Sequence, residues 1–455
     1  MLTGSGTTRA GAGNGLAAER LETLLPDDKP VYTDAEARAE AERCLYCVDA
    51  PCIKACPTSI DIPTFIRKIA TGNVRGSART ILEQNILGYS CARVCPVEVL
   101  CVGDCVYQQW HGAPIAIGRL QRFATETALA PGQPAVLTPK AHGAASKTVA
   151  IIGSGPASLA CGAYLALEGH RPVILEKKAV VGGLNTTGIA PYKMPAADSV
   201  HEAEWVRSLG VEVRTGAEVG TTVRGAALLA EYDAVFIGVG LGADAKLGVP
   251  GEDGPGVLGA TDWIERMKLG AGSAKTQLGD VVVVGGGNTA VDMARECARL
   301  GARSVTMVYR RELEVMSAYS HELDAARKEG VRVVPHVVPV GFARDAAGKL
   351  TGVTLAEAKG GRAVDGTHYV LPCDLAGLAI GQAKVTTIVA ELAGVTLDAK
   401  GCVVVDAVTK QTLNPKVYAG GDCVNGGKEV VNAVADGRDA ARAMIRSWQE
   451  EANRG

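Results

Sequence analysis

KTVAIIGSGPASLACGAYLALEGHRPVILEK, residues 147–177, reads as strand, glycine turn, helix and strand within one unit of about 30 residues. Gly153, Gly155 and Ser158 fill the pattern G-x-G-x-x-(G/A/S). Gly153 permits the tight turn, Gly155 lets backbone approach a pyrophosphate, and a small residue at 158 lets helix and strand pack closely. Pro156 and Ala157 open the helix, whose N-terminus supplies N–H donors and positive potential for phosphates. Glu176 ends the second strand 23 positions after Gly153, where a carboxylate binds ribose hydroxyls. The stretch predicts a dinucleotide site on an α/β fold.

A second unit of the same kind runs from Asp280 to Arg311, DVVVVGGGNTAVDMARECARLGARSVTMVYRR. Gly285, Gly287 and Ala290 repeat the fingerprint after VVVV, and Asn288 and Thr289 open its helix. These two units are the internal repeat of the chain. The second unit ends at Tyr309-Arg310-Arg311 without an acid. Arginines in that place accommodate a 2′-phosphate and favour NADP, while the bland reading makes them solvated strand-end charges. Between the units, YDAVFIGVGLG (232–242) is a buried strand ending in glycines, and LAGLAIGQ (375–382) and KVYAGGDCVNGGKEVVNAVADGRDAARAM (416–444) follow the second.

Upstream the chemistry changes. Of thirteen cysteines, eight fall between residues 44 and 105. Cys44, Cys47, Cys52 and Cys56 space as C-x2-C-x4-C-x3-C-P, close to the ferredoxin pattern whose last cysteine serves a different cluster. Cys91, Cys95, Cys101 and Cys105 form a second run, with Pro96 inside it. Two four-cysteine zinc sites are the rival reading. They fit less well, because the spacings are irregular and the module precedes two dinucleotide-binding units, whose redox chemistry needs an outlet for electrons. DAEARAEAER (34–43) is helix-forming behind an N-cap at Thr33 or Asp34, and 62–84 reads helical with a Gly72-Asn73 interruption. Residues 31–130 read as a helical cluster-binding module, 1–30 as a disordered arm, and the Pro/Gly/Ala-rich 131–146 as a linker.

Composition bounds the rest. The 455 residues suffice for two to four domains. A formal net charge of −2 gives no pull toward nucleic acid or an anionic membrane, and no apolar run approaches the ~20 residues of a membrane span. Residues 1–20 have no apolar core of a signal peptide. Many cysteines without export imply a reducing cytoplasm, where they read as metal or cluster ligands.

Residues 416–444 resemble the C-terminal FAD motif of flavoproteins with two dinucleotide domains. That resemblance implies FAD at the first fingerprint, with Gly421 and Asp422 at the ribityl or phosphate end and Gly183 and Leu184 of EKKAVVGGLNTT contributing. The whole of 147–455 is similar to the pyridine nucleotide–disulfide reductase fold. Its FAD domain is then discontinuous, 147–275 and 385–455, around an NAD(P) domain at 278–384. The chain beyond 147 has no C-x-x-C, and Cys161, Cys297, Cys373, Cys402 and Cys423 are isolated, so a redox disulfide is not expected.

CLYCVDAPCIKACPTSIDIPTFI, CARVCPVEVLCVGDC and PIAIGRLQRFATE resemble the N-terminal region of dihydropyrimidine dehydrogenases, and the similarity runs from about residue 40 to the C-terminus. The resemblance implies two [4Fe–4S] clusters. One takes Cys44, Cys47, Cys52 and Cys105. The other takes Cys56, Cys95, Cys101 and an unusual ligand, Gln121, with Cys91 a non-ligand. A neutral amide in place of a thiolate makes a cluster less negative and raises its potential. The single-chain enzymes continue into an FMN-binding TIM barrel, which this chain lacks. The resemblance therefore implies the NADH-oxidising subunit of a two-subunit enzyme, paired with an FMN/iron–sulfur TIM-barrel subunit in a heterotetramer that reduces uracil or thymine. No acid–base catalytic residue is identified here. NAD is the expected nucleotide although Arg310 and Arg311 argue for NADP. The glutamate synthase small subunit shares the architecture more loosely and stands as the alternative.

Overall fold

The computed structural model describes residues 16–17, 20–270 and 278–454. Most of the expected arm (1–15, 18 and 19) and the expected domain boundary at 275 lie outside the described residues. The chain divides into two compact units. One comprises residues 27–185, 198–242 and 383–455, and the other residues 1–26, 186–197 and 243–382.

Seven helices open the first unit: α1 (Asp34–Glu42), α2 (Pro51–Lys54), α3 (Ile62–Ala70), α4 (Val74–Leu82), α5 (Gly88–Val94), α6 (Val106–Gln109) and α7 (Ile117–Ala128). Thr33 caps α1 through a reciprocal box with Glu36, which satisfies two free N–H donors at once. The Gly72-Asn73 interruption separates α3 from α4, and the Asn73 side chain caps the second by accepting from Gly76 N–H at 2.9 Å. Phe65, Ile66, Ile69, Leu120 and Phe123 close the inner core of this module.

The chain then alternates strand and helix: β1 (Thr148–Ile152), α8 (Pro156–Leu167), β2 (Arg171–Glu176), α9 (Leu184–Thr187), α10 (Ala196–Ser208), β3 (Glu212–Thr215), α11 (Gly225–Glu231) and β4 (Ala234–Ile237). Next come β5 (Val257–Gly259), α12 (Ala260–Leu269), β6 (Asp280–Val284), α13 (Asn288–Arg299), β7 (Ser304–Val308), α14 (Ser320–Lys328) and β8 (Arg332–Val334). The strands β9 (Val337–Arg344), β10 (Leu350–Lys359), β11 (Arg362–Ala363), β12 (Tyr369–Pro372) and β13 (Leu375–Leu378) follow, then α15 (Thr387–Glu391), β14 (Val417–Ala419), α16 (Asp422–Asn425) and α17 (Val430–Arg454).

In the first unit β14, β4, β1, β2 and β3 form a parallel sheet in that order. Because β14 comes from the far end of the sequence, the domain is discontinuous. Both faces of a parallel sheet must be covered, which explains the unbroken apolar runs VAII and AVFI. Helix α17 packs along α8. Their shared core also takes in Leu82, Ile86, Leu87 and Cys91 of the N-terminal module, so the cysteine-bearing helices and the first nucleotide fold have one common interior.

In the second unit β5, β13, β6, β7 and β8 form another parallel sheet. An antiparallel sheet is built on β10, which pairs with β9, β11 and β12. Strand β5 falls inside the 147–275 segment of the sequence reading, yet it pairs with β13, Ala376 opposite Val257. Three residues carry too little pattern to announce a partner more than a hundred positions away. Residues 20–30, read as the end of a disordered arm, include a 3₁₀ turn at Leu21–Leu24. Glu22 is buried and accepts from Ala196 N–H at 2.9 Å. In the expected linker, Val136 and Leu137 are buried in the core of the first unit, which the Pro/Gly composition hid. Among the described residues no helix is long and apolar enough to cross a membrane.

Candidate functional site

The first fingerprint forms the turn between β1 and α8. Gly153 has φ +89°, and a Cβ there would stand 2.7 Å from the Gly238 carbonyl oxygen, so only glycine fits. Gly155 is the N-cap of α8, with Pro156 next and no side chain capping the helix. Its first N–H groups are therefore left to whatever anion docks there. Two more of the sequence-selected segments converge on this helix start. A Cβ on Gly183 would lie 2.8 Å from Gly155 Cα, and one on Gly421 would lie 3.1 Å from Ala157 Cβ. A cradle that extra carbons would fill, at the uncapped start of α8, suits the pyrophosphate of FAD. Ser158 is fully buried, its hydroxyl donating to Gly238 C=O at 3.4 Å. Leu184 opens α9 beside Gly183.

Glu176 ends β2 as expected, and its carboxylate is already engaged. Ser154 donates its N–H (2.9 Å) and hydroxyl (2.6 Å) to one oxygen, and Lys178 N–H donates to the other at 2.7 Å. Sequence reasoning missed Ser154, which is the variable position of the fingerprint. Asp422 begins α16 and accepts from Lys428 N–H at 3.1 Å. Burial raises its carboxyl above the ordinary value, while that N–H and the Lys384 charge pull it down.

The second fingerprint repeats the geometry. Gly285 has φ +145° and a Cβ there would lie 2.3 Å from Ala379 C=O. Gly287 is the N-cap of α13, again with no capping side chain. Ala290 is buried against the sheet. Segment 317–319 covers the turn, with Ala318 N–H donating to Gly286 C=O at 2.9 Å and Tyr319 N–H to Asn288 Oδ1 at 3.0 Å. The Asn288 amide oxygen thereby helps hold the loop, a role its position could not reveal. Thr289 follows it in the first turn of α13. Arg310 and Arg311 lie just beyond β7, both exposed.

The cysteines gather at two places. Cys44, Cys47, Cys52 and Cys105 line one apolar hollow, together with Ile62, Ile66, Ile115 and Ile117. Burial raises the Cys44 thiol and pushes Cys52 up to about 12, and the neighbouring thiols add to both shifts. Four thiols around an apolar hollow are a donor set that fits a thiolate-bound cluster. Among the described residues no three His, Cys, Asp or Glu side chains converge as the ligands of a single ion. Cys56, Cys95 and Cys101 form the second group. Cys95 is raised by a hydrogen bond with Cys91, then by burial and by Cys101 and Cys56. Burial raises Cys101 as well, with Cys56 and Cys52 adding. The fold thus brings Cys91 to this group beside the three expected thiols. Gln121, which reads as an exposed helix residue from its local sequence, is buried on α7 and donates from Nε2 to Gly88 C=O at 2.7 Å.

Comparison with known proteins agrees with this architecture. Residues 23–133 match the family described as dihydropyrimidine dehydrogenase domain II, 4Fe-4S cluster, and residues 147–437 match pyridine nucleotide-disulphide oxidoreductase. The chain is 34% identical to the glutamate synthase [NADPH] small chain of Escherichia coli (strain K12), over 92% of this chain and 93% of that one. It is 35% identical to the NAD-dependent dihydropyrimidine dehydrogenase subunit PreT of the same organism, over 93% of this chain and 97% of that one. Among solved structures, thioredoxin reductase of T. acidophilum superposes with a TM-score of 0.53 at 20% identity, covering 68% of this chain and all of that one. That likeness concerns the fold alone. The chain therefore belongs to the pyridine nucleotide–disulphide oxidoreductase family, as an NAD(P)-dependent flavin oxidoreductase with an N-terminal 4Fe-4S domain, in the group that includes the PreT subunits and glutamate synthase small chains.

Proposed function

We propose that this chain is the electron-input subunit of a two-subunit, NAD-dependent dihydropyrimidine dehydrogenase. Hydride acceptance from a nicotinamide and one-electron delivery onward are the chemistry that FAD and iron–sulfur clusters supply when bound. The chain's own task is to place them. Gly153, Gly155, Pro156, Ala157, Ser158, Glu176, Gly183, Leu184, Gly421 and Asp422 hold FAD. Gly285, Gly287, Asn288, Thr289 and Ala290 hold the nicotinamide dinucleotide, NAD in preference to NADP, with Arg310 and Arg311 flanking it. Cys44, Cys47, Cys52 and Cys105 hold one [4Fe–4S] cluster, and Cys56, Cys95, Cys101 and Gln121 a second. The partner is an FMN/iron–sulfur TIM-barrel subunit, assembled with this chain as a cytoplasmic heterotetramer, that reduces uracil or thymine to the 5,6-dihydro product.

The observation that carries the reading is the common core of the cysteine module and the first nucleotide fold. A relay needs its carriers held at fixed separations, and one continuous interior does this without a hinge. The test is anaerobic oxidation of NADH and NADPH with uracil as sole acceptor, by the chain alone and with its FMN-barrel partner. Uracil-dependent oxidation only with the partner supports the reading. Reduction of artificial dyes but never of uracil, with all cofactors loaded, removes it.

Glutamate synthase is the second reading, favoured by an identity to its small chain of 34%, against 35% to PreT. A very large glutaminase-bearing synthase encoded beside this chain, in place of the FMN barrel, would select it.

A further inference from the structure

Helix α5 carries Cys91 in its middle and ends on Cys95, and it is gripped from two sides. From within the cysteine module, Gln121 Nε2 holds the Gly88 carbonyl. From the nucleotide fold, α10 reaches it at two points one turn apart. Glu202, 1% exposed, accepts from Tyr89 N–H at 3.0 Å, from Ser90 N–H at 3.2 Å and from the Ser90 hydroxyl. Asp198 meets Arg93 at 3.4 Å. Asn185, which follows the Gly183-Leu184 segment beside α8, donates from Nδ2 to the same Ser90 hydroxyl at 3.0 Å. A buried carboxylate thus takes up the free N–H donors at the start of one short helix and ties that helix to the loop that meets the first fingerprint. Burial raises the Glu202 carboxyl while the Ser90 and Tyr89 donors lower it, so these contacts do most for the helix when the group is ionised.

From this geometry we propose that Glu202, through Ser90 and Asn185, is the positioning residue that sets the second cluster against the flavin and so governs electron transfer between them. The inference rests on the assignment of Cys56, Cys95, Cys101 and Gln121 to that cluster. Glu202 bonds Tyr89 and Ser90, neither of which is assigned to a cofactor. It acts by fixing the helix whose two ends meet Gln121 and present Cys95. Electron transfer falls steeply with the separation of its carriers, so a small displacement of such a support slows that step and not flavin reduction.

The test uses the cofactor-loaded full chain and its E202Q and Ser90→Ala variants. Stopped-flow mixing with NADH separates flavin reduction from cluster reduction, and electron paramagnetic resonance of the reduced protein reports each cluster. In E202Q we expect flavin reduction within about twofold of wild type, cluster reduction slowed about tenfold, and an altered signal from one cluster only. S90A should show the same pattern more weakly, and it decides the matter if E202Q does not load its cofactors. Unchanged cluster rates and spectra in a loaded variant overturn the proposal. A wild-type protein with a single four-iron cluster overturns the two-cluster assignment itself, and the iron content distinguishes that failure from the other.

Discussion

Ser154 donates both its N–H, at 2.9 Å, and its hydroxyl, at 2.6 Å, to one carboxylate oxygen of Glu176. The contact closes the fingerprint turn onto the end of β2 and holds the carboxylate in one orientation. Removing the acceptor strands buried donors. Hydrogen bonds to a charged group are worth about 1.5–3 kcal/mol, so E176A should weaken FAD binding by about 10–100-fold, and Ser154→Ala by less. Titration of the deflavinated chain with FAD measures both. Wild-type affinity in E176A would remove Glu176 from the site.

Of the thiols around the apolar hollow, Cys44, Cys47 and Cys52 come from one run and Cys105 from the far end of the N-terminal module. If they hold one cluster, Cys52→Ser and Cys105→Ala should each lower iron from about eight to about four per chain and leave the FAD absorbance intact. Iron and acid-labile sulfide analysis reads this directly. Zinc in place of iron, with no dithionite-bleachable brown colour, would end the cluster reading.

Arg310 and Arg311 are exposed beyond β7, where a 2′-phosphate would lie. Replacing both with Ala should leave kcat/KM for NADH within about twofold and lower that for NADPH by about tenfold or more. In the wild type NADH should be the better substrate. A preference for NADPH exceeding about a hundredfold, roughly 2.7 kcal/mol, contradicts the NAD assignment.

Burial pushes the Glu202 carboxyl up to about 7 from an ordinary value of 4.5, against the lowering effect of the Ser90 and Tyr89 donors. The folded protein then binds a proton more readily than the unfolded chain, so stability falls as pH rises from about 4.5 to about 7 and levels off above. The difference amounts to roughly 3 kcal/mol. E202Q cannot ionise and should lack that contribution. Thermal denaturation of both proteins between pH 5 and pH 8 should show the wild type losing Tm relative to E202Q as pH rises. Parallel curves would show the carboxyl to be ordinary.

Much of this protein was legible locally. The turn at 153–158 requires φ +89° at Gly153 and a close approach to Gly238, demands that glycine meets and other residues do not. The apolar strands and the Thr33 cap are likewise settled within a few residues, since backbone dihedrals and first-turn hydrogen bonds depend on near neighbours. Side-chain burial and long-range company do not. The grouping of Cys105 with Cys44, Cys47 and Cys52 was implied by resemblance to a family and not by local pattern, and the tertiary structure lines one hollow with the four; the tertiary structure alone decided that Gln121 is buried against Gly88. It also sent β5 to the second sheet and buried Glu202 at the start of α5. The Gln121, β5 and Glu202 contacts join residues tens to more than a hundred positions apart, and such pairings are selected by the packing of whole elements, which no short window of sequence contains.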